Sequence, residues 1–137
     1  MSPTTPASLP AIEAQLTPLL AGLFFLSESD APLELVSCPR PAGALPSPEL
    51  LTALGEPATA PVQVVELPYF LRNHTSPTGV LGDAALAARY QALQDFLTQQ
   101  LSPVQVYRVG SGPQVHAYAL GEAEGQLVGF KTVLIET

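Results

Sequence analysis

Tryptophan is absent from the 137 residues, cysteine occurs once, and only five positions carry Lys or Arg. Each scarcity closes a class of functions. A single cysteine leaves no intrachain disulfide and no thiolate metal cluster built from one chain. Five basic residues against twelve acidic ones give a formal net charge of −7, with no stripe able to neutralise phosphates, so direct binding to DNA or RNA is disfavoured. That balance suits solubility or a basic protein partner instead. Long hydrophobic runs are missing too. The most apolar stretch, Leu16 to Leu26, is broken by Pro18 and has no Lys or Arg before it. It has neither the basic start of a signal peptide nor the roughly 20 residues of a membrane-crossing helix. The expectation is a cytoplasmic protein without membrane association. Cys38 follows the apolar run Leu33 to Val36 and reads as a partly buried, inert thiol.

What is present is a 47% hydrophobic chain, enough for one domain with a proper core. Met1 to Ala7 is a Ser/Thr/Pro stretch and reads as a flexible tail (1–7), leaving a single domain over 8–137. Leu9, Ile12, Leu16, Leu19 and Leu20 recur at helical spacing after Ser8, a capping residue, and Gly22 ends the helix. Leu23 to Pro32 then turns from apolar to Ser-Glu-Ser-Asp-Ala-Pro, where a core-anchored chain surfaces into acids. Leu33 to Ser37 reads as a short strand, and Ser47-Pro48-Glu49 starts a short helix over Pro48 to Leu54, closed by Gly55. Val62 to Leu67 is nearly continuous in apolar residues and predicts a central strand buried on both faces. A brief turn at Pro68 to Arg72 leads into a polar loop, Asn73 to Gly82. Asp83 caps the longest helix, which runs to Leu101 with Leu86, Tyr90, Leu93 and Leu97 in register. Val104 to Val109, Val115 to Gly121 and Leu127 to Ile135 are Val- and Tyr-rich strands separated by Gly-containing turns. Helices covering such strands give an α/β fold, a layered sandwich with a mixed, largely antiparallel sheet of about five strands.

Catalytic signatures are weak. Ser27, Ser29, Asp30, His74 and His116 contain the residue types of a serine hydrolase, but no Gly-x-Ser-x-Gly elbow accompanies them. His116 alternates with Val115 and Ala117 and reads as a solvent-facing strand residue, while His74 reads as part of a polar loop. No His-x-x-x-His or acidic loop suggests a metal cage. Gly110-Ser111-Gly112 joins two strand-like runs and opens no helix, so a hairpin turn explains it better than a phosphate site.

Two stretches carry more. Gly22-Leu23-Phe24-Phe25-Leu26-Ser27-Glu28-Ser29-Asp30-Ala31-Pro32 resembles the Gly-Leu-Leu-Phe-Met-Ser-Glu-Ser-acid-x-Pro stretch of the nuclease A inhibitor family. Pro103-Val104-Gln105-Val106-Tyr107-Arg108-Val109-Gly110, with Val115, Tyr118, Gly121-Glu122, Gly125, Leu127, Gly129 and the terminal Glu136-Thr137, resembles that family's last third. Val62 to Arg72 and the long helix correspond in spacing. The resemblance implies a three-layer α/β/α sandwich that inhibits a magnesium-dependent, sugar-nonspecific nuclease as a monomer.

It also implies roles for particular residues. Glu28 would enter the nuclease active site in place of the scissile phosphate, with Ser27, Ser29 and Asp30 around it. Thr137 would place its hydroxyl on a magnesium ion held by the partner, with Glu136 beside it; the chain itself needs no cofactor. Asp30, Glu122, Glu124 and Glu136 are candidates for electrostatic support. The chemistry is suitable, because magnesium prefers oxygen ligands and a carboxylate accepts the charged hydrogen bonds a phosphate would, yet offers no bond to cleave. The family's Asp-Trp contact pair before the long helix is missing. The corresponding loop reads Thr75-Ser76-Pro77-Thr78-Gly79-Val80-Leu81, so Thr78 and Gly79 stand where an aromatic anchor would. A same-fold interaction module with a non-nuclease partner is the alternative, and a small serine hydrolase is a third reading.

Overall fold

The sequence's helical stripes and strand-like runs form the elements they predict, with differences at the edges. In the computed structural model, which describes residues 9–26, 30–76, 83–101, 103–110 and 113–135, α1 (Leu9–Leu20) buries Ile12, Leu16 and Leu20 at four-residue steps. The tail Met1 to Ala7 lies outside the described residues. The helix passes Pro18 because Ala21 N–H still donates to Thr17 C=O, and Gly22 ends it at φ 75°. α2 (Pro48–Ala53) starts as its sequence dictates: Ser47 accepts from Leu50 N–H, and Pro48 occupies the first turn. The long helix α5 (Ala84–Gln100) is capped by Asp83, whose carboxylate accepts from Ala85 and Leu86 N–H. Its buried residues, Ala87, Tyr90, Leu93 and Leu97, keep the three- and four-residue steps of one face.

Five strands form the main sheet: β3 (Glu34–Pro39), β4 (Val62–Glu66), β5 (Val104–Val109), β6 (Gln114–Ala123) and β7 (Gln126–Ile135). Their order is β3-β7-β6-β5-β4 and every pairing is antiparallel. The expectation of a mixed sheet is thereby corrected. The last three strands are sequential neighbours joined by short connections, which forces antiparallel pairing, and both outer strands join them in the same sense. β6 and β7 turn at Glu124 and Gly125, both at positive φ (52° and 74°), a geometry that suits the twist of a tight hairpin. A separate hairpin consists of β1 (Phe24–Leu26) and β2 (Asp30–Pro32). The sequence reading saw that stretch as a change from apolar to acidic and did not resolve its strands.

Alternation along β6 sends Val115, Ala117 and Ala119 to one apolar cluster and Tyr118 and Leu120 to another. The first also takes residues of α1, α5 and the short helix α3 (Leu67–Phe70), with Leu71 just before the next helix, α4 (Arg72–Thr75). The second takes Leu50 and Leu51 of α2 together with Cys38. Cys38 is buried, and that burial pushes its thiol up from its ordinary range, as suits an inert side chain.

The strand expected at the centre of the sheet is its edge. β4 pairs only with β5 in the strand order, and Val64 is 42% exposed. Its valines still meet apolar neighbours on both sides, because Val62 packs on the α2 cluster and Val65 on the other. Apolar cover on two faces therefore mimicked a central position, and Leu67, read as strand, begins α3. Among the described residues, no helix is long and apolar enough to cross a membrane.

β6 leaves no room for a side chain at Gly129 of β7. A Cβ on Gly129 would stand 1.8 Å from the Ala119 carbonyl oxygen, and Gly129 also pairs with Val36 on the other side. Gly129→Ala should therefore force central strands apart and destabilise the protein by about 3 kcal/mol or more. Urea denaturation checks this; a loss below about 1 kcal/mol would show that the strands relax easily.

Candidate functional site

A two-stranded hairpin is marginal alone, because its outer edges leave backbone groups without partners. In the β1–β2 hairpin Leu26 stands opposite Asp30, so segment 27–29 joins two placed strand ends. Leu33 N–H donates to Leu23 C=O at its base, 3.1 Å away. On the outer edge of β1, two side chains supply what a third strand would. Tyr90 of α5 donates its hydroxyl to Phe24 C=O, and His74 of α4 accepts from Leu26 N–H at 3.0 Å. Burial pushes the Tyr90 phenol above its ordinary range, which keeps the donating proton in place. The neighbouring Arg89 donates to Ala21 C=O at 2.6 Å, placing a cation at the carbonyl end of α1 just before the hairpin. One turn of α5 therefore ties both the entry to the hairpin and its outer edge.

His74 corrects the reading of Asn73 to Gly82 as a loop from its first residue. Arg72–Thr75 is α4, and His74 is only 2% exposed. Its ring stacks on Phe25 at 4.1 Å, Phe25 stacks on Phe70 at 4.6 Å, and Tyr90 tilts against the imidazole at 5.0 Å. A signal was available in the spacing: Leu67, Phe70, Leu71 and His74 form an i, i+3, i+4, i+7 series of buried residues. Polarity concealed it. Because Leu26 N–H donates to Nε2, that nitrogen carries no proton and the neutral ring's hydrogen is on Nδ1. Nδ1 is buried without a hydrogen-bond partner among the described residues, and burial lowers the imidazole from 6.5 to about 4.

Of the residues expected to meet a partner, Ser27, Glu28, Ser29, Thr78, Gly79, Glu136 and Thr137 lie outside the described residues. Asp30 is described; it is exposed at the first position of β2. The placed residues that flank the others converge. Leu26, next to segment 27–29, and Leu134, near the end of β7, line one cavity of about 280 Å³. His74, upstream of segment 77–82, lines it too, beside Phe25, Phe70 and Arg108. Thr132 Oγ1 donates to Ala31 C=O at 3.3 Å, so β7 is also tied to the hairpin's second strand.

Glu122 and Glu124 do not join this end. Glu122 pairs with Leu127 beside the β6–β7 turn, whereas Ile135 pairs with Gln114 at the opposite end of the same hairpin. Eight residues of strand separate these ends by roughly 25 Å, beyond the screening length of about 8 Å at physiological salt. Glu122 is instead ion-paired with Arg40 at 2.9 Å.

His116, read as solvent-facing, is partly exposed but engaged. Its Nδ1 lies 2.6 Å from the Glu56 carboxylate, which also accepts from the Tyr118 hydroxyl. Burial and the Glu56 contact push the Tyr118 phenol upward. This cluster ties the chain leaving α2 to β6. It lines a different cavity from His74, so the two histidines do not come together. Among the described residues, no group of three or more His, Cys, Asp or Glu side chains is placed to hold a metal ion.

The chain was compared with known proteins. A family model described as nuclease A inhibitor-like protein matches residues 10–137. No curated protein matches the chain.

The buried imidazole carries a pH signature. The unfolded chain takes up the His74 proton near pH 6.5, and the folded chain only near 4. Its contribution to stability is therefore complete above 6.5, falls as pH drops between those values, and levels off below 4. His74→Phe should remove up to about 3 kcal/mol of this pH-dependent loss. Urea midpoints for both proteins across that range measure the difference; parallel profiles would contradict the assignment.

Proposed function

Since the chain belongs to the nuclease A inhibitor-like family, matched from residue 10 to 137, we propose that it inhibits a magnesium-dependent, sugar-nonspecific nuclease by occupying its active site. In this reading Glu28 replaces the scissile phosphate among the enzyme's cationic groups. Its carboxylate accepts charge-assisted hydrogen bonds but contains no phosphodiester to break. Thr137 brings its side-chain hydroxyl, a hard oxygen donor, to the magnesium ion that the nuclease holds. Ser27, Ser29, Asp30 and Glu136 flank these two points, and Thr78 with Gly79 forms a further contact. The chain acts as a cytoplasmic monomer on a protein partner. It is not an enzyme, needs no cofactor and binds no nucleic acid directly.

The observation that carries this reading is the convergence of Leu26 and Leu134 on one cavity. Residues adjoining the two proposed contact points meet there although 108 positions of chain separate them. Cations of the partner would also favour an inhibitor with a formal net charge of −7. The sandwich arrangement of the family belongs to the same reading, supported by α1 and α5 on one apolar cluster and α2 on the other.

The test is inhibition of DNA cleavage by a magnesium-dependent nuclease of this type. Glu28→Ala, and separately one glycine added after Thr137, should each raise the inhibition constant about 100-fold, as expected for central interface residues. Undiminished inhibition by both variants would discard this mode. Absence of inhibition by the unaltered chain, with recovery of another partner, would favour a same-fold interaction module.

A further inference from the structure

We infer that His74 is a positioning residue for the end of β1 at Leu26, and that the acceptor nitrogen of its neutral imidazole, more than its ring packing, sets how that strand end is held. This inference rests on the proposed function only for its effect on inhibition.

Leu26 is the last placed residue before segment 27–29, and its N–H points away from β2 into the molecule. It meets Nε2 of His74 at 3.0 Å. The surroundings are otherwise aromatic: Phe25 and Tyr90 contact the ring, and Phe70 stacks beyond Phe25. Phenylalanine at this position would satisfy such packing as well, without burying a polar nitrogen. Histidine is also a costly choice, because Nδ1 is buried with no partner among the described residues. What histidine supplies and phenylalanine cannot is an acceptor for Leu26 N–H.

The same contact makes this strand end sensitive to acid. Protonation turns Nε2 into a donor, so two N–H groups face each other and the Leu26 contact is lost. The titratable and charged groups around the ring are Tyr90 of α5, Tyr69 of α3, Arg72 of α4 itself and Arg108 of β5. Arg72 and Arg108 line the same cavity, and no acid does so among its described residues. No acidic side chain described there would pair with an imidazolium. Acid should therefore loosen β1 at Leu26 before it disturbs the main sheet.

Two variants separate acceptor from packing. His74→Phe keeps an aromatic ring and removes the acceptor, whereas His74→Gln puts an amide oxygen near the position of Nε2. Amide hydrogen exchange on the free, full-length protein should show Leu26 exchanging at least about tenfold faster in His74→Phe, with Leu93 and Val106 unchanged. His74→Gln should restore most of that protection. Against the nuclease used to test Glu28, His74→Phe should weaken inhibition about tenfold at neutral pH, with recovery in His74→Gln. The unaltered protein should lose affinity on acidification more steeply than His74→Gln. Equal Leu26 protection in all three proteins would overturn the inference. So would equal impairment of the Phe and Gln variants, which would make ring packing the cause. If the unaltered chain inhibits nothing, the proposed function falls, while the exchange result still decides whether His74 holds the end of β1.

Discussion

A short strand with no neighbour on one side must still find partners for the N–H and C=O groups it turns that way. β1 meets this constraint with side chains. Tyr90 reaches Phe24 C=O and His74 accepts from Leu26 N–H, so two helices do the work of a missing strand. Each neutral hydrogen bond is worth only about 1 kcal/mol net, but leaving a buried backbone group unpaired costs about 1–3 kcal/mol. The greater consequence is geometric: a three-residue strand acquires a fixed place relative to α4 and α5.

That placement connects distant parts of the sequence. Antiparallel pairing with β6 carries β7 along the sheet until Ile135 reaches Gln114, and Thr132 ties β7 to Ala31 of the hairpin. The hairpin and the end of β7 are thereby brought to one cavity, lined by Leu26 and Leu134. Under the proposed function, local order and partner recognition are linked here. A segment held at both ends loses less conformational freedom on binding than a free loop, which improves affinity without adding contacts.

Much of this architecture was legible because local chemistry and tertiary packing agree. Ser47 and Asp83 cap the helices they were expected to cap, and the five main strands appear where Val-rich runs placed them. The misreadings share a cause. Val62 to Glu66 looked central because helix-covered sheets give even an edge strand apolar neighbours on two faces. His74 looked like a loop residue because its polarity outweighed a helical stripe beginning at Leu67. β1 and β2 are three residues each, too short for periodicity to declare them. Charge sign alone also grouped Glu122 and Glu124 with the acidic segment, although pairing register puts them at the other end of β6 and β7. Of the site itself, the resemblance named the residues; the composition and periodicity of the chain did not.

The central claim is spatial: the positions of Glu28 and Thr137 must lie together. Spin labels on cysteines replacing both residues, in a Cys38→Ser background, measure their separation directly. Neighbouring strands lie about 4.8 Å apart, so allowing for the labels the account predicts a dominant distance of about 10–20 Å in the free protein. A dominant distance of roughly 30 Å, the length of a ten-residue strand, would put the two points at opposite ends and contradict it.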